Sequence, residues 1–216
     1  MFDLPLVNLF SPSSRKNNDP LLIMLHGYGS NERDLFSFVP ELPKELNIIS
    51  LRAPYKLNHD GFYWYEINFD NEMGKLININ QAKNSMNLIL NCINKISNEI
   101  KIDISKASLI GFSQGCILSM ALGLNYPEKF KNIIGLSGYI PNDFTTIKEN
   151  KEVYKNLNFY SSHGIFDQII PIKLARETPK ILDKLNINFT YNEFSSSHGV
   201  SNENFKDMKE WLVKNI

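Results

Sequence analysis

Short continuous apolar runs recur along this chain and alternate with stretches whose apolar residues fall at helical spacing. Residues 21–25, 48–51, 107–110, 132–136, 157–160 and 188–192 read as strands. Apolar runs that lack strict alternation mark strands covered on both faces. The strongest helical pattern places Ile79, Ala82, Met86, Ile89, Ile93, Ile96 and Ile100 on one stripe, at spacings of three and four. That stripe predicts a long helix with one face on a sheet. Further helices are expected over 32–39, 116–125, 172–185 and 202–213. Tyr126-Pro127 closes the second of these, because a proline disfavours helical geometry in the residue before it. Residues 11–20 form a polar turn between two early strands, and 52–78 and 141–155 are the longest irregular stretches.

Strands alternating with helices predict an α/β fold, with a mostly parallel central sheet and helices on both faces. Neither irregular stretch is long enough for a second domain. One domain over 1–216 is expected, with little or no lid. At 216 residues and 43% hydrophobic content the chain can build one large core. Lys+Arg and Asp+Glu are both 23, a balance that argues against a nucleic-acid partner. No apolar run approaches the roughly eighteen residues of a membrane span. The first ten residues lack a basic segment and a small-residue cleavage site, so no signal peptide is read there. Cys92 and Cys116 lack metal-ligand spacing and fall in predicted helices. Both are expected to be buried, in a reducing, cytoplasmic setting.

The candidate chemistry centres on Gly111-Phe112-Ser113-Gln114-Gly115, between the apolar run 107–110 and a predicted helix. That context reads as strand, sharp turn and helix, with a strained serine at the apex. The flanking glycines remove side chains that would strike the neighbouring strand and helix. A serine hydroxyl needs an adjacent base. In this architecture the partners follow in the order serine, acid, histidine. Of the four histidines, His26, His59, His163 and His198, only the last two come after Ser113. Were His163 the base, its acid would come from Glu128, Asp143, Glu149 or Glu152, all at helix or surface-loop positions. With His198 as base, Asp167 is available. Ser113, Asp167 and His198 each follow the carboxyl end of a predicted strand, where ligand sites of open α/β sheets lie. They form the expected triad.

Acyl transfer also needs oxyanion donors. The backbone N–H of Gln114 is one. The loop Leu25-His26-Gly27-Tyr28-Gly29-Ser30 supplies the other through the N–H of Tyr28, with His26 holding the loop by hydrogen bonding. Ser137, in Gly135-Leu136-Ser137-Gly138, lacks a following helix and is read as structural. Trp64, Tyr139, Phe166 and Ile169 are the expected substrate-pocket residues, which suggests an apolar acyl or aryl group.

These segments resemble the phospholipase/carboxylesterase family: Leu-His-Gly-Tyr-Gly-Ser at 25–30, Gly-Phe-Ser-Gln-Gly at 111–115, Gly-Leu-Ser-Gly-Tyr at 135–139, His-Gly-Ile-Phe-Asp at 163–167 with Ile170-Pro171, and Ser-His-Gly at 197–199. Arg52-Ala53-Pro54 and Phe62-Tyr63-Trp64-Tyr65 resemble that family's substrate-facing loop. The resemblance runs from about residue 20 to the end. It implies the α/β-hydrolase fold, a nearly lidless eight-stranded sheet, no metal or other cofactor, and the same triad. The family includes acyl-protein thioesterases and small bacterial carboxylesterases. The thioesterases more often carry an aspartate where Ser30 stands, which points to the carboxylesterase branch.

The expected activity is that of a serine carboxylesterase acting on short- to medium-chain esters through an acyl-enzyme. Lysophospholipase or acyl-protein thioesterase activity is the alternative. A serine peptidase or a non-catalytic binding module on the same fold stands further off. The expected partner is a small-molecule ester, without stable membrane insertion. A homodimer stays open.

Overall fold

A computed structural model of the protein describes residues 2–14, 19–69 and 75–216. The strands are β1 (Asn8–Ser11), β2 (Leu21–Leu25), β3 (Asn47–Leu51), β4 (Tyr55–Lys56), β5 (Phe62–Tyr63), β6 (Ile67–Phe69), β7 (Lys75–Ile77), β8 (Ser108–Phe112), β9 (Asn132–Leu136), β10 (Asn158–Gly164) and β11 (Asn188–Phe194). The helices are α1 (Arg33–Phe36), α2 (Ile79–Ile100), α3 (Gln114–Asn125), α4 (Ile172–Ala175), α5 (Glu177–Lys184) and α6 (Asn202–Asn215).

The main sheet has the order β1-β3-β2-β8-β9-β10-β11. Every pair is parallel except β1 with β3. Successive residues of each inner strand face opposite layers. Leu21, Ile23 and Leu25 of β2 belong to the core layer that also takes residues of α2, α3 and α5, whereas Leu22 and Met24 belong to the layer that takes residues of α1 and α6. Each fully buried Leu or Ile contributes about 1.5–3 kcal/mol. The strands read as unbroken apolar runs because both faces are covered.

The sheet described here has seven strands, not the eight that the resemblance implies. Ahead of β2, Asn8–Ser11 is the one segment that pairs among the described residues. Pro5 and Pro12 bracket it and have no N–H for a ladder. The irregular stretch 52–78 instead folds partly into two small hairpins, β4–β5 and β6–β7. Residues 15–18 of the polar turn and residues 70–74 lie outside the described residues.

The helical stripe is realised in α2, where Ala82, Met86, Ile89, Ile93 and Ile96 are buried. The side chain of Asn78 caps its start by accepting from the N–H of Gln81 at 3.1 Å. The expected helix 172–185 is broken into α4 and α5. Pro179 has no N–H to give the carbonyl of Ala175, so the ladder lapses at Arg176. The strand expected at 157–160 runs on through His163 to Gly164. Ser161 and Ser162 pair with Gly135 and Leu136 on β9, and small side chains tolerate the burial.

Strand order reverses between β2 and β8, because β3 lies on one side of β2 and β8 on the other. The loops leaving these two strands therefore diverge and open a crevice at their carboxyl ends. The β2 loop is fixed from behind by Glu32, 3% exposed, whose carboxylate takes two hydrogen bonds from Arg52, at 2.5 and 2.6 Å. Burial raises the Glu32 carboxyl, but the Arg52 hydrogen bonds and charge outweigh it, and the net position is below the ordinary value. A depressed carboxyl contributes stability above its ordinary pKa of about 4.3 and loses it as pH falls through the folded value. Arg52→Leu strands a buried charge. It is expected to cost about 3 kcal/mol at pH 7 in urea unfolding, with the deficit narrowing below about pH 4.

Candidate active site

Ser113 stands at the turn between β8 and α3 with φ 52° and ψ −113°, a left-handed conformation that side chains rarely adopt. The turn closes only because its flanks are glycine. A Cβ on Gly111 would lie 2.2 Å from the carbonyl oxygen of Gly115, and one on Gly115 would lie 2.1 Å from that of Leu25. The Ser113 N–H donates to Leu136 O at 2.9 Å, which ties the apex to β9. Helix α3 starts at Gln114, two residues before the expected start, so the serine adjoins its amino end.

His198 Nε2 lies 2.9 Å from Ser113 Oγ, and His198 Nδ1 lies 2.7 Å from Asp167 Oδ2. The other carboxylate oxygen of Asp167 accepts from the N–H groups of Ile169 and Ile170, at 2.8 and 2.9 Å. Burial pushes the Asp167 carboxyl up. The His198 hydrogen bond and the two backbone donors outweigh it and hold the group below its ordinary value. An ionised carboxylate only accepts, so Nδ1 of His198 carries the proton and Nε2 presents its lone pair to the serine hydroxyl. The loops carrying acid and histidine are joined by Ile165 N–H to Phe194 O at 2.9 Å and Phe166 N–H to Ser196 O at 3.1 Å. Ser137, buried and with φ 55°, supports the same loop by donating to Gly199 O at 3.3 Å.

On the β2 side, His26 Nε2 accepts from the N–H of Ala53 at 3.0 Å, so Nδ1 is the donor to Gly27 O at 2.7 Å. Burial lowers the His26 pKa, and this ring anchors the loop as expected. The N–H groups of Gly29 and Ser30 are committed to Phe62 O and Gly27 O. The N–H of Gln114, at the first helical position, has no acceptor within α3. Tyr28, Ser113 and Gln114 line one cavity of about 510 Å³.

That cavity corrects the expected pocket. Ile169 lines it, together with Ile67, Ile117, Gln168 and Ile170. Trp64, Tyr139 and Phe166 do not. Trp64 is wholly buried and donates its indole N–H to His26 O at 2.8 Å. Its bulk is spent on core packing, and its polar end on the loop. Tyr139 packs against the core, and Phe166 is 63% exposed outside the cavity. The side chain of Gln114 escaped sequence reasoning altogether. It accepts from the N–H of Trp64 at 2.8 Å and donates to Tyr65 O at 2.7 Å, clamping the 62–65 segment to the amino end of α3. The only signal was a polar residue opening an otherwise apolar helix.

A more open cleft of about 620 Å³ lies beside α6, between Leu42 and Val213. Its described lining holds no serine, cysteine or histidine. Among the described residues no cluster of three His, Cys, Asp or Glu is placed to hold a metal ion, and no helix is long and apolar enough to cross a membrane.

The family model for phospholipases and carboxylesterases matches residues 9–216. Acyl-protein thioesterase 1 of Yarrowia lipolytica is 28% identical over 193 residues, covering 84% of this chain and 77% of that protein. Acyl-protein thioesterase 1 of Candida albicans is 25% identical, covering 95% of each. Among solved structures, the carboxylesterase of Bacillus cereus superposes with a TM-score of 0.85 at 19% identity, covering 99% of this chain and 96% of that one, a likeness of fold.

Proposed function

The chain belongs to the phospholipase/carboxylesterase family, and from that premise we propose that it is a serine carboxylesterase working through an acyl-enzyme. The observation that carries the reading is the continuous hydrogen-bonded line from Ser113 Oγ through His198 to Asp167. In the proposed cycle, His198 Nε2 takes the hydroxyl proton as Oγ attacks the ester carbonyl, and Asp167 stabilises the imidazolium that forms. The N–H groups of Tyr28 and Gln114 hold the oxyanion, each worth about 3–4 kcal/mol in the transition state. His198 returns the proton to the leaving alcohol. Water, deprotonated by the same nitrogen, then releases the acid and frees the serine.

Ile67, Ile117, Ile169 and Ile170 offer apolar surface beside the serine, and no charged side chain is among the described residues that line the cavity. That lining favours a neutral, apolar acyl group of short or medium length. A cytoplasmic setting fits the two free, buried cysteines. A p-nitrophenyl ester series is expected to give its highest kcat/KM at short to medium chains, and a clear preference for long chains would overturn the length assignment. Thioester hydrolysis is a second reading, favoured by the named thioesterase relatives. Matched oxygen esters and thioesters separate the two. Absence of labelling by a fluorophosphonate probe would favour a non-catalytic module, and amide cleavage rivalling ester cleavage would favour a peptidase.

A further inference from the structure

His163 has no role in the cycle above, yet it is wholly buried beside the catalytic acid. Its Nε2 lies 2.8 Å from Ile170 O and 3.2 Å from Asp167 Oδ2. A carbonyl only accepts, so Nε2 carries a proton. His163 Nδ1 is buried and has no hydrogen-bond partner. A second proton there would leave an unpaired buried N–H, so the ring is a neutral donor. The register neighbour on β11, Glu193, is engaged instead by Arg176, at 2.7 and 2.8 Å.

We propose that His163 is a positioning residue, whose Nε2–H, donated to Ile170 O and standing 3.2 Å from Asp167 Oδ2, fixes the loop of the catalytic acid from inside the sheet. This rests on the reading of Asp167 as the triad acid. Asp167 has three donors, Ile169 N–H and Ile170 N–H on Oδ1 and His198 on Oδ2, while His163 Nε2 stands 3.2 Å from Oδ2 and holds the carbonyl of Ile170. His163 is rooted in β10, whereas the three donors to Asp167 belong to loops. It thus references the loop-borne acid to the rigid strand. Without it, Ile170 can shift, and with it the carboxylate that its N–H holds in line with His198 and Ser113; a small misplacement slows chemistry more than binding.

The test uses His163→Leu, His163→Asn and His163→Gln in the full chain, with ester kinetics and thermal unfolding. Gln carries its amide to the position of Nε2, and Asn reaches only that of Nδ1. Leu and Asn are expected to lower kcat by about tenfold or more, with KM within about twofold, whereas Gln recovers kcat to within about threefold of wild type. Folded Leu and Asn variants with wild-type kcat would overturn the proposal, as would a Gln variant as slow as Asn. If Leu does not fold, the Asn and Gln pair decides. Failure of the serine reading itself would look different: wild type and Ser113→Ala would then hydrolyse esters equally, or neither would.

Discussion

Ser113→Ala is expected to lower kcat for ester hydrolysis by about 10⁵- to 10⁶-fold while leaving unfolding within about 1 kcal/mol of wild type. The size follows from the site's construction. Ser113 Oγ is the hydroxyl that faces His198 Nε2, and the neighbouring Ser137 donates to Gly199 O. Alanine accepts the φ of 52° with the same strain that serine already bears, so the turn has no reason to reopen. The oxyanion donors remain, and with them a residual rate above that of water. Matched initial rates and denaturation curves check both halves. A variant retaining more than about 1% of wild-type kcat would remove Ser113 from the nucleophile's role.

Asp167→Asn is expected to cost about 10⁴-fold in kcat, with the fold retained. One carboxylate oxygen accepts from the N–H groups of Ile169 and Ile170, and the other accepts from His198. An amide has one accepting and one donating end, so either orientation sets an N–H against donors. With the NH₂ toward His198, the imidazole moves its proton to Nε2 and can no longer take the serine's. With the NH₂ toward Ile169 and Ile170, two backbone donors lose their acceptor, and the 165–171 loop shifts. The loss should persist across pH, because the wrong tautomer is not restored by titrating an amide. Rate profiles of the variant and wild type check this. An Asn variant within about tenfold of wild type would place the acid elsewhere.

Much of the route to this site was legible along the chain. Unbroken apolar runs identified the inner strands because both faces of the sheet are covered, as Leu22 and Ile23 on opposite layers illustrate. The spacing of Ala82, Met86, Ile89, Ile93 and Ile96 marked α2, since helical geometry places those positions on one side. The three residues now hydrogen-bonded in line were recognisable from their chain order and their places after β8, β10 and β11. Boundaries were less legible. The serines and histidine that extend β10 look polar in sequence, and only pairing with strands on both sides makes them ladder residues.

Local pattern by itself determined the fold class, the strained serine turn between its glycines, and the acid and histidine that follow it. These depend on backbone sterics and periodicity, which act between residues close in sequence. Tertiary structure alone decided what surrounds the chemistry. Ile67, Ile117 and Ile170 come from a hairpin, a helix and a loop, and they share a cavity only because strand order reverses between β2 and β8. The same convergence buried Trp64 under the β2 loop and left Phe166 outside the cavity. Apolar and polar side chains carry no address in their type. Which of them meet is settled by the packing of distant segments at the carboxyl edge of one sheet.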